Sequence, residues 1–147
     1  MKFDGEQTIQ ADREKVWSFL TDAAAVSQCA PGLESMTVID PERRFEAVAA
    51  IGFGTVKVRF VTDVQWVELD PPRMAKMKAH GTAPGSAVDV AAQMDLAEAS
   101  EGSTQMSWSA DVTVSGTITS LASRLMGSVT KKVTRNFFDC VKAELEA

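Results

Sequence analysis

The stretch Leu121–Leu145, LASRLMGSVTKKVTRNFFDCVKAEL, carries an apolar side chain at every fourth position: Leu121, Leu125, Val129, Val133, Phe137, Val141 and Leu145. Residues four apart stack above one another on a helix. The row therefore reads as a single stripe along one long C-terminal helix. Ile118, Ala122, Met126 and Phe138 widen the stripe, and no Gly or Pro interrupts the chain after Gly127. Helical over 117–146, the segment forms a rod of roughly 45 Å. A stripe that long needs an apolar partner of equal length, and the residues before it read as strands.

Working back towards the N-terminus, Phe3, Gly5, Gln7 and Ile9 alternate with polar neighbours as an opening strand. Asp12 stands as the N-cap of a short helix buried through Val16, Trp17 and Leu20, and Asp22 caps a second over 22–29 that Pro31-Gly32 stops. Leu33 to Ile39 reads as a strand ending at an Asp40-Pro41-Glu42 turn. Phe45, Ala47, Ala49 and Ile51 share a face of the next strand, and Gly52-Phe53-Gly54 marks a turn or bulge. In a long strand from Val56 to Leu69, Val58, Phe60, Val64 and Trp66 oppose Lys57, Arg59, Asp63 and Gln65. Met74 to Ala79 follows the Asp70-Pro71-Pro72 break, and His80 to Gly85 reads as a loop. Two further strands alternate, one through Val88, Val90, Ala92, Met94 and Leu96 and one through Met106, Trp108, Ala110, Val112 and Val114. The expected architecture is α+β: a curved antiparallel sheet of about seven strands wrapped around the long helix, with two short helices after strand one. Residues 1–147 are expected to form a single domain.

Composition excludes several function classes. A net charge of −5 argues against nucleic acid, which selects a basic surface. The charge is uneven: residues 117–147 hold five bases and three acids, leaving −7 on the rest of the chain. Arg124, Lys131, Lys132 and Arg135 are thus candidates to face a partner or anionic head groups. No metal site is expected, since His80 is the only histidine and Cys29 and Cys140 lack metal-ligand spacing. The N-terminus has no apolar h-region and no window is long enough to span a bilayer. The expectation is a cytoplasmic, reduced chain, with Cys140 a small buried apolar group.

Trp66, Met77, Met94, Met106 and Trp108 fall on the inner strand faces, beside small residues such as Ala110. Methionine and tryptophan suit a pliable apolar pocket. With Trp17 and with Leu121, Leu125, Met126 and Val129 of the helix, they make the expected ligand-binding set. Catalysis finds little support. Alternation places Asp63, Asp89, Asp95 and Asp111 on polar faces, His80 reads as outward, and Cys29 has no imidazole to activate it. No catalytic residue and no required cofactor are expected.

Several local motifs give the chain a resemblance. They are Ala11-Asp12-Arg13-Glu14-Lys15-Val16-Trp17, the turn Cys29-Ala30-Pro31-Gly32-Leu33-Glu34, the Asp70-Pro71-Pro72 break, Ser115-Gly116-Thr117-Ile118, Leu121-Ala122-Ser123-Arg124-Leu125-Met126 and Phe137-Phe138. Together they resemble the carbon monoxide dehydrogenase G-subunit family, within the START-like (SRPBCC) helix-grip superfamily. Gly116 would bend the last strand into the helix, with Ser115 or Thr117 as its cap. The resemblance implies an accessory protein of a molybdenum hydroxylase of the carbon monoxide dehydrogenase type. Such a protein would bind a quinone or other lipid and link the enzyme to the cytoplasmic membrane by peripheral contact. Longer members carry a C-terminal extension, whereas this sequence ends at Ala147. The alternatives are an enzyme of the polyketide cyclase type using the same cavity, and a pure assembly or docking factor.

Overall fold

The computed structural model describes residues 1–40 and 43–146. Pro41 and Glu42 of the expected turn lie outside them. Strand β1 (Lys2–Ile9) leads into α1 (Arg13–Thr21), α2 (Ala23–Val26) and a 3-10 turn (Ser27–Cys29). Six strands follow: β2 (Leu33–Asp40), β3 (Arg44–Phe53), β4 (Val56–Asp70), β5 (Met74–Ala83), β6 (Ser86–Ser100) and β7 (Ser103–Gly116). Helix α3 (Thr119–Leu145) follows β7. The sheet is antiparallel throughout, in the order β1-β7-β6-β5-β4-β3-β2. This is the helix-grip α+β fold.

Capping explains the helix starts in part. Asp22 accepts from the Ala24 and Ala25 amides at 3.0 and 3.3 Å, as its position before α2 predicts. Asp12 holds the N-cap place of α1 without a side-chain cap bond; only its carbonyl is used, by the Val16 amide. The expected cap of α3 is corrected. Neither Ser115 nor Thr117 caps it; Ser86 in β6 takes the Ile118 amide at 3.2 Å and lies 2.9 Å from the Thr117 hydroxyl. Gly116 sits at φ +91, and a Cβ there would fall 2.0 Å from the Gly85 carbonyl oxygen. Only glycine lets the chain turn into α3 at that point.

Two strand boundaries also differ from expectation. His80 to Ala83 continue β5, with His80 registered between Asp63 and Asp89, because β4 and β6 offer ladder partners that outweigh the weak strand propensity of His-Gly. The β3–β4 turn is Gly54-Thr55, with Phe53 paired to Val56 and buried.

The inner face packs against α3 in two places. Towards the helix start, Ile118, Ala122 and Met126 close on Phe53 and Phe60, with Leu125 and Val129 alongside. Towards its end, Phe138, Val141 and Leu145 join Ile9, Val16, Leu20, Leu96 and Met106. Each such side chain, fully buried, contributes roughly 1.5–3 kcal/mol. The apolar row is therefore not one stripe facing one partner: its first half meets the sheet, and its second half also meets the short helices.

The cysteines overturn the expectation of two separate thiols. Cys29 and Cys140, 111 residues apart in sequence, form a disulfide with their Cα atoms 5.4 Å apart. Cys29 is buried, whereas Cys140 is half-buried.

Candidate ligand cavity

Between α3 and the inner sheet face lies a cavity of about 440 Å³. Its floor is Phe45, Ala47 and Ala49 of β3, Thr62, Val64 and Trp66 of β4, Ala75 and Met77 of β5, Ala92 and Met94 of β6, and Met106 and Trp108 of β7. Its roof is Val133, Thr134, Phe137 and Phe138 of α3. Its side wall runs from Leu20 through Ala23, Val26, Ala30 and Pro31 to Leu33 and Met36. The space exists because the floor is interrupted by alanines. Ala92 is registered against Met77 and Ala75 against Met94, and Ala47 and Ala49 open the β3 side. Most of these apolar side chains are only half-buried, which is how a lined but unfilled cavity differs from core.

Trp66, Met77, Met94, Met106 and Trp108 of the expected set thus line one space. Trp17 packs beside the lower core cluster, and Ala110 lies on the inner face between Ala92 and Phe3 without reaching the cavity. Leu125, Met126 and Val129 are engaged in the upper core cluster, and Leu121 is half-buried a turn earlier. Alternation reports which face a side chain takes, not how far the helix stands off, so it does not single out Val133, Phe137 or the short-helix wall. Trp108 is seated by a specific device: a Cβ on Gly5, its partner across β1, would lie 2.8 Å from the indole nitrogen. The ring therefore lies over bare backbone.

Among the described residues, no lining residue is Asp, Glu, Lys, Arg or His. Of the polar ones, Thr134 bonds back to the Thr130 carbonyl at 2.8 Å, Ser27 to that of Ala24, and Gln93 to Asp95. The ionisable groups lie on the outer face. Asp63 receives Arg44 at 2.8 Å, and that guanidinium holds its carboxyl below the usual carboxylate range. His80 Nδ1 lies 2.6 Å from Asp89, and Asp111 lies 3.7 Å from the N-terminal amine. A polar groove of about 450 Å³ runs over this face between Asp63, Lys78, His80, Asp89 and Asp111. Among the described residues, no group of three or more His, Cys, Asp or Glu could hold a metal ion.

At one end of the inner face aliphatic side chains reach solvent. Val38 faces Phe45 across the ladder, Leu69 faces Ala75, and Val67 bulges out beside Trp66 at 56% exposure. Arg43, Arg44 and Arg73 are exposed at the same end. Arg124, Lys131, Lys132 and Arg135 lie along α3, and all four are exposed.

Residues 5–146 match the profile of the family described as the G subunit of carbon monoxide dehydrogenase (CoxG). The chain belongs to the CoxG family. No curated protein matches the sequence. Among solved structures, a conserved protein from Geobacillus kaustophilus is 25% identical and superposes with a TM-score of 0.91, over 99% of this CoxG chain and 95% of its own. The Zhui aromatase/cyclase from a Streptomyces strain is 15% identical, with a TM-score of 0.76 over 99% and 93% of the two chains. The di-domain ARO/CYC BexL is 18% identical, with a TM-score of 0.67; the match spans 99% of this chain and 50% of BexL. The last two likenesses establish the shared helix-grip fold. Among the described residues of this CoxG member, no helix is long and apolar enough to cross a membrane.

Proposed function

We propose that this CoxG-family protein is a non-catalytic carrier that holds a neutral hydrophobic molecule, a quinone or other lipid, in the cavity under α3. On this reading it serves a molybdenum hydroxylase of the carbon monoxide dehydrogenase type at the membrane. The observation that carries the proposal is a cavity of about 440 Å³ with no ionisable side chain among its described lining residues. Its size lies within the range of small-molecule sites, about 300–1,000 Å³. A fatty-acid carboxylate drawn inside the lining would find no cation among the described residues there, which favours an uncharged cargo. Two indoles, three phenyl rings and four thioethers favour a flat, polarisable head group over a saturated chain alone. At about 0.8 kcal/mol per buried CH₂, one five-carbon isoprenoid unit supplies roughly 4 kcal/mol. Cyclase chemistry would need a group on the lining that takes or gives a proton near neutrality, and the lining residues supply none.

The aliphatic rim of Val38, Val67 and Leu69 offers the cargo an apolar route in from a bilayer, with the nearby arginines suited to anionic head groups. The basic face of α3 is the surface for an acidic partner.

Organic extraction of the purified protein, with mass spectrometry of the extract, tests the reading. A near-stoichiometric quinone or lipid is expected. In Ala92→Trp the indole fills the cavity, and the extract should be empty while the circular dichroism spectrum is unchanged. Equal cargo in that variant would remove the cavity as the site.

A further inference from the structure

The side wall of the cavity is the least supported part of its lining. Helix α2 has four residues and the 3-10 turn three, both too short to be stable alone. Among the described residues, the nitrogen and oxygen hydrogen bonds of 22–31 are local: Ala24 and Ala25 donate to Asp22, Val26 to Asp22, Ser27 to Ala24 and Ala30 to Ser27. The next backbone tie to the sheet is at Gly32, whose carbonyl accepts from the Ala50 amide. Val26 packs with Phe137 and Phe138 in the same core cluster, and the covalent join between this wall and the roof is the Cys29–Cys140 bond. Cys29 lies next to Ala30 and Pro31 of the wall, and Cys140 lies less than one turn beyond Phe137 and Phe138 of the roof.

We propose that this disulfide is a redox latch on the cavity: oxidised, it clamps the wall to α3, and reduced, it frees residues 22–31 and speeds exchange of the cargo. The inference rests on the cavity being a ligand site. The chemistry is thiol–disulfide exchange with an external dithiol. One reductant thiolate attacks Cys140 Sγ, the sulfur of the less buried residue; the S–S bond breaks and Cys29 leaves as a thiolate that takes up a proton. The second reductant thiol then attacks the mixed disulfide, frees the Cys140 thiol and closes the reductant's own disulfide. Two electrons pass to the protein and two thiols result.

The test compares the intact protein before and after dithiothreitol, with thiols counted by mass spectrometry. Nile red, an uncharged fluorophore, reports exchange, and amide hydrogen exchange reports the wall. Reduction should speed Nile red release about tenfold and raise amide exchange over 22–32 by at least as much, while β5–β7 stay protected. Cys140→Ser, and Cys140→Ala should serine disturb packing, should match the reduced protein with or without reductant. Two thiols that stay free after treatment with diamide would overturn the latch. So would identical release and exchange in both redox states. If Nile red binds neither state while the wall still loosens, the ligand reading falls and the gating role falls with it. Nile red binding with no redox effect removes the latch alone.

Discussion

One added carbon at Gly5 would collide with the Trp108 indole at 2.8 Å, and nothing about Gly5 in isolation announces that. Gly5→Ala should push the ring off its seat and cost about 1–3 kcal/mol, read as a lower urea midpoint with an unchanged slope. Its tryptophan emission should shift as well, because Trp108 lines the cavity. Residue by residue, alternation identifies Trp66, Met77, Met94, Met106 and Trp108 as inward, and all five line the cavity. It passes over Val133 and Phe137, since a residue on an apolar stripe reads the same whether it packs flush or roofs a gap. His80 reads as a loop residue from local propensity alone, whereas strand pairing with β4 and β6 holds it in β5.

Elements differ in how tightly their own sequence specifies them. Helix α3 carries Gly127 on its exposed side, where an added methyl meets nothing within 4 Å. Gly127→Ala should raise stability by about 0.5–1 kcal/mol, seen as a higher urea midpoint. The edge strand β2 carries a polar tie besides its ladder with β3. Glu34 receives the Arg59 guanidinium at 2.5 and 3.1 Å across the intervening β3. That hydrogen bond, ahead of the nearby charge itself, holds the Glu34 carboxyl below its ordinary value. A lowered folded-state pKa means the tie is fully present above the usual carboxylate range and is lost as pH falls through the lowered value. Amide exchange in β2 should therefore rise on acidification ahead of β6, and Glu34→Gln should flatten that dependence. The helix and strand order is legible in the periods of 3.6 and 2, because those periods are set within each element. The α3 cap is not, since Ser86 reaches it from a strand 32 residues earlier.

At the scale of the molecule, the disulfide is the main constraint that spacing alone does not reveal. A separation of 111 residues says nothing of a 5.4 Å approach. Closing so long a loop restricts the unfolded chain, and reduction should lower stability by roughly 2–4 kcal/mol. Urea titrations with and without reductant check this, and Cys140→Ser should follow the reduced curve.

The row Leu121 to Leu145 has one more consequence. Steps of four residues overshoot a full turn by about 40°, so six steps swing the apolar direction through roughly 240°. Helix α3 is therefore a slow screw, presenting one quadrant to Phe53 and Phe60 and another to the short helices. Substitutions at the cavity end can therefore change the shape of that space while the packing at the other end keeps its fit.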